Sequence, residues 1–198
     1  MHPDRRFRWE DEDAMRAFVA ARGFAHIFAM TAEGPMVAHA PVVVTEGGAL
    51  RFHLARSNRI CRYLDGLPAL ASVAGPDAYV SPDWYVAEDQ VPTWNYVAVE
   101  AEGVAHMLDQ PALVEQLDTL SATHEAALAP KPAWTRAKMS AGRFEAMLPA
   151  IICFEIRVLR WRGTRKFSQN KPAGDRASLA TALDASGRRD MAALVRAP

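Results

Sequence analysis

Cysteine is nearly absent: Cys61 and Cys153 are the two in 198 residues. Two thiols cannot make a disulfide framework, and neither stands at metal-ligand spacing, so inert thiols in apolar surroundings are expected. Long apolar runs are missing too, since none nears the ~20 residues that cross a bilayer. No sign of charge is in excess, because 23 Lys and Arg balance 23 Asp and Glu. That balance argues against a polyanion-binding surface spread over the whole molecule, while a local basic patch stays open. The sequence has no GxGxxG, P-loop, GxSxG or HExxH motif. Its six histidines, His2, His26, His39, His53, His106 and His124, never fall at ligand spacing from each other or from a cysteine. No acid pair or nucleophile–base set stands out, so hydrolase and metalloenzyme readings lack support. The charged N-terminus MHPDRRFRWEDED has no signal-peptide core, and a soluble cytoplasmic protein is expected.

What is present is a chain that is 50% hydrophobic, enough for a sizeable core in one domain with appendages. Arginine supplies 19 of the 23 basic residues, which suits bidentate phosphate contacts, although GC-rich coding gives the same bias. The densest feature is Asp77 to Tyr96, with Tyr79, Trp84, Tyr85, Trp94 and Tyr96. Pro82 and Pro92 fix φ at both ends of its acidic segment, so a stiff, hairpin-like crossing is expected. It either presents stacking rings and the Asn95 amide to a flat ligand or forms an aromatic core corner.

Around that crossing the periodicity alternates between helix and strand. Apolar Met15, Phe18 and Val19 predict a helix from Asp13 to Arg22, stopped by Gly23. Stretches 24–31, 36–45 and 50–55 read as three antiparallel strands joined by Glu33-Gly34-Pro35 and Glu46-Gly47-Gly48. Ser57 then caps a short helix to Leu64. Strands resume at Leu70 and run through the crossing to about Met107. Helices are expected at 109–124, 135–147 and 175–183, and a long strand at 151–163. The tail from Arg188 reads as a last amphipathic turn or a frayed end. Many short strands without crossover helices indicate a mainly β barrel, closed or partly closed, with helices outside.

Three segments could carry a ligand. In HisLeuAlaArgSerAsnArg at 53–59 a strand ends and a helix begins, so Arg56, Ser57 and free N–H groups suit a phosphate. An ordinary serine cap with Arg56 in solvent is the plain alternative. In MetValAlaHisAlaProVal at 36–42, Pro41 costs a ladder hydrogen bond, placing His39 on an edge strand or a locally opened one. Lys166 to Lys171 gathers two lysines, a serine and two amides, a dense donor set or a solvated turn. A phosphorylated flat ring satisfies all of these features together.

At this point the motifs resemble a known family. GlyProAspAlaTyrValSerProAspTrpTyr at 75–85, ValProThrTrpAsnTyr at 91–96 and LysPheSerGlnAsnLys at 166–171 look like signatures of the FMN-binding negative transcriptional regulators, the PaiB-like proteins. HisLeuAlaArgSerAsn at 53–58 fits the same pattern. The resemblance implies an FMN-binding split β-barrel of the pyridoxamine phosphate oxidase-like kind with peripheral helices. It covers 1–176, leaving 177–198 as a helical extension of the same domain. It also implies a homodimer with FMN at the interface. Carried over by motif, Arg56, Ser57 and Asn58 lie on the phosphate side, and His39 and Pro41 on the strand along the flavin ring. Asn95, Tyr96, Lys166, Gln169 and Lys171 would close the site. His2, where the family tends to have an aromatic, the short 33–36 turn and the tail after Arg176 depart from the pattern.

Two functions follow from the resemblance. One is an FMN-binding regulator; yet no helix-turn-helix with a basic recognition helix is visible, which argues against direct contact with nucleic acid. The alternative is a flavin-dependent oxidoreductase, akin to flavin reductases or pyridoxamine phosphate oxidase, acting on a small substrate.

Overall fold

The computed structural model describes His2 to Ala197. Its chain falls into two compact units, one of residues 16–73 and 100–161, the other of residues 1–15, 74–99 and 162–198.

The larger unit holds the barrel. Strand β2 (Phe24–Thr31) alternates exposed and buried residues, and β3 (Gly34–Val44) does the same, so each has one core face and one outward face. They pair antiparallel with Phe24 opposite Pro41 and Thr31 opposite Gly34. From Val42 onward β3 pairs instead with β4 (Leu50–Ala55). Pro41 therefore sits where β3 passes from one neighbour to the other, the place where a missing N–H costs least. In the sheet order β3 lies between β2 and β4, with β2 as its partner up to Pro41 and β4 from Val42.

Strand β5 (Pro68–Val80) pairs with the far side of β2, and β7 (Ile151–Lys166) pairs with β4. The order is β7-β4-β3-β2-β5-β6, with β6 (Thr93–Met107) also pairing with β7, so the sheet closes. Closure removes strand edges that would otherwise template aggregation. Gly103 makes the β6–β7 approach feasible: a Cβ there would lie 2.0 Å from the Arg157 carbonyl oxygen. Inside, Phe52 and Phe154 stack at 5.8 Å between ring centres, beside buried Leu50, Ile27 and Ile156. Each such side chain contributes roughly 1.5–3 kcal/mol on burial.

Helix α1 (Glu12–Arg22) begins with acids, Glu12 and Asp13. Helix α2 (Gln110–Ala126) is capped by Asp109, whose carboxylate accepts from the Ala112 N–H, and lays Leu113 and Leu117 against Leu148 and Cys153. The helix expected over 135–147 is instead a 3-10 turn at Arg136–Lys138 and a short α3 (Arg143–Met147). Pro130 and Pro132 precede it and Gly142 enters the left-handed region (φ 74°), which breaks a continuous helix.

In the smaller unit, strand β1 (Arg8–Trp9) pairs with the end of β7, Trp9 opposite Gly163. Helix α4 (Ala173–Ala185) runs on through Arg176, and the tail forms a full helix α5 (Arg189–Arg196) rather than a frayed end. Leu179, Ala180 and Leu183 of α4 and Met191, Ala192 and Val195 of α5 are all buried.

Candidate functional site

In the larger unit Arg56, Ser57 and Asn58 stand just after the end of β4. Arg56 is exposed, but its guanidinium is held: Nε donates to the Pro149 carbonyl at 2.7 Å and Nη2 to that of Ile151 at 3.4 Å. A fork tied at one side by two backbone carbonyls keeps its other nitrogens aimed outward at little entropic cost. Ser57 is exposed beside it. The local helix differs from expectation. It is a 3-10 turn, Arg59–Arg62, and its cap is Asn58 rather than Ser57, with Oδ1 accepting from the Ile60 N–H at 3.3 Å. The Asn58 oxygen is thus engaged in capping, and the Ser57 hydroxyl is left available. Arg56 and Ser57, a fixed cation beside a hydroxyl, are a donor set that fits a phosphate.

His39 and Pro41 lie on the outward face of β3. Next along that face, Phe28, Met30, Pro35, Leu70, Val104 and Leu159 line an apolar groove of about 570 Å³. Met30 is 69% exposed and Leu159 80% exposed, an unusual arrangement for the walls of a closed barrel.

In the smaller unit, Asn95 is completely buried. Its amide nitrogen donates to Ser168 Oγ at 3.0 Å, and the Tyr85 hydroxyl lies 3.2 Å from the same oxygen. Burial pushes the Tyr85 phenol above its ordinary range. Gln169 is likewise taken up by backbone: its Oε1 accepts from the Phe167 N–H at 2.7 Å, and its Nε2 donates to the carbonyls of Arg165 at 2.6 Å and Arg6 at 3.2 Å. Both amides build the 166–171 loop. The two lysines are only half-buried. Lys166 donates to Thr93 Oγ1 at 2.6 Å, and partial burial holds its ammonium below the usual lysine range. Lys171 donates to Gln90 Oε1 at 2.5 Å and sits over the Tyr85 ring. Tyr96 is half-buried on β6.

The crossing is organised by Asp175 and Ser168. Asp175 Oδ1 accepts from the Val86 N–H at 2.9 Å and the Ala87 N–H at 3.0 Å, tying the loop to the first turn of α4. Ser168 holds φ at 58° without being glycine, a conformation its three-way contact with Asn95 and Tyr85 stabilises. Tyr85 is core, whereas Tyr79 and Trp94 are about half exposed and meet edge-on at 6.0 Å. The Trp94 indole N–H donates to Asp77.

The family described as "Putative FMN-binding domain" matches residues 1–160. The chain belongs to that family. Its cofactor is FMN, which agrees with the Arg56 and Ser57 donor set. Among curated relatives, the chain is similar to "Protease synthase and sporulation protein PAI 2" of Bacillus subtilis, 28% identical over 88% of this chain and 85% of that protein. Among solved structures it is similar to an FAD and haem binding protein from Mycobacterium smegmatis, with TM-score 0.58, 15% identity and coverage of 88% and 79%. A flavocytochrome from Azotobacter vinelandii gives TM-score 0.59 and 17% identity over 83% and 72% of the two chains. A conserved protein from Mycobacterium tuberculosis gives 0.61 and 15% over 86% and 94%. The fold is that of the flavin-binding split barrels. No helix among the described residues is long and apolar enough to cross a membrane.

Proposed function

We propose that this FMN-binding protein works as a homodimer of the negative regulator type, with the flavin lodged where two copies meet. The observation that carries the reading is Arg56, a guanidinium steadied by the Pro149 and Ile151 carbonyls beside the free hydroxyl of Ser57. Those two hold the phosphate. His39 and Pro41 stand along the ring, and Tyr96, Lys166 and Lys171, carried over by motif, close the site from the second copy. Asn58, Asn95 and Gln169 serve by shaping the segments that carry these contacts. The apolar outward face with Phe28, Met30 and Leu159 supports pairing, since a second copy removes it from water. When bound, flavin supplies redox chemistry that no side chain here provides. The test is an absorbance spectrum and FMN titration of the purified protein, together with sedimentation over a dilution series. Flavin absorbance with saturable binding and a dimer at micromolar concentration is expected; a folded, flavin-indifferent monomer overturns the reading.

A flavin-dependent oxidoreductase is the second reading, favoured by the similarity in fold to a flavocytochrome. Bleaching of bound flavin by NAD(P)H, followed by reoxidation with an acceptor, selects it; no bleaching favours the binding role.

A further inference from the structure

The six histidines show no ligand spacing along the chain, but the sheet brings two of them together. His26 on β2 lies directly opposite His39 on β3 in the antiparallel ladder. Residues opposite each other share a face, so both rings project outward, His39 exposed and His26 half-buried. Their Nδ1 atoms are 2.6 Å apart, with ring planes at 88°. At that separation the two nitrogens share one hydrogen bond, one Nδ1 supplying the N–H and the other the lone pair. Same-face neighbours on β2, β3 and β5 are Phe24, Phe28, Val37, Pro41, Leu70 and Ser72, none of them titratable.

We propose that His26 and His39 form a two-imidazole chelate for a borderline divalent cation, with Cu²⁺ preferred over Ni²⁺ and Zn²⁺. Imidazole nitrogen binds such ions at ~2.0–2.1 Å, which sets the two nitrogens ~2.9–3.4 Å apart around the metal. Opening the present contact by less than ~1 Å satisfies that geometry, and both side chains can move outward to do so. Among the described residues no third His, Cys, Asp or Glu joins the pair, so water or a ligand atom fills the remaining positions. The affinity order follows the general ranking of divalent first-row ions at nitrogen sites. An imidazole ligates only in its neutral form, so binding falls with acid. The β-ladder fixes the backbone positions beforehand, so only side-chain freedom is lost on binding.

The experiment is titration of the full chain with Cu²⁺, and separately Ni²⁺ and Zn²⁺, by calorimetry and, for copper, by its visible absorption band. One Cu²⁺ per chain is expected. His26→Gln and His39→Gln should each weaken it by about tenfold or more, since even partners behind a ligand contribute 10–100-fold. His124→Gln should leave it unchanged. His39 is exposed and His26 half-buried; an unchanged thermal midpoint verifies folding of each variant, and should one unfold, the other decides. Copper binding of equal strength in the two variants, or none by the unaltered chain, overturns the proposal. FMN titration of the same samples reports the flavin reading separately, so either can fail alone.

Discussion

The hydroxyl of Ser168 stands 3.0 Å from the amide nitrogen of Asn95, and neither side chain reaches solvent. Ser168→Ala removes the acceptor and leaves a buried amide unpaired, which costs about 1–3 kcal/mol. Ser168→Gly makes the same deletion yet relieves the positive φ, worth about 1–2 kcal/mol. Urea denaturation should therefore rank the native protein first, the glycine variant second and the alanine variant last.

Asp175 secures the crossing through one carboxylate oxygen shared by two backbone N–H groups. Asp175→Ala should destabilise by about 1–3 kcal/mol and speed amide exchange at Val86 and Ala87. Exchange that stays slow at both positions would show that the loop is held by other contacts.

Arg56→Ala should weaken FMN binding by more than about tenfold, since a charged contact contributes roughly 1.5–3 kcal/mol. Riboflavin, which has no phosphate, should bind the variant and the native chain alike. Fluorescence titration with both flavins checks this; equal loss for the two places Arg56 away from the phosphate.

Gly103→Ala should cost about 3 kcal/mol or more, because the added methyl lands on backbone that cannot move aside. Gly174→Ala in α4 meets open space and should stabilise by up to about 1 kcal/mol. Thermal melts of the two variants make the comparison directly.

Burial raises the Cys153 thiol from 9.0 to about 11. A raised value means the folded state keeps its proton while the unfolded chain loses it, so stability present below pH 9 is lost as pH climbs toward 11. The full span of that change is about 3 kcal/mol. Cys153→Ala should flatten the decline between pH 9 and 11 in denaturation curves, on top of its ordinary packing loss.

How much of this was legible beforehand depended on the range of the interaction. Strands at 24–31 and 50–55 follow from residue alternation and from Gly-bearing turns, and the structure keeps those bounds. The helix expected at 135–147 failed because its apolar residues form too short a stretch between the prolines and Gly142 to hold a continuous turn register. The site was readable as motifs, but the direction of each side chain was not. Asn95 and Gln169 look like ligand-reading amides, yet one is fully buried and the other meets only backbone groups.

The order of amino acids by itself determined the strands, the turns and the family, since each rests on neighbours within a few residues. Tertiary structure alone decided that Pro41 sits at a change of partner, that Ser168 joins Tyr85 to Asn95, and that His26 faces His39. Those relations are set by strand register and chain closure, and register is a property of two segments at once.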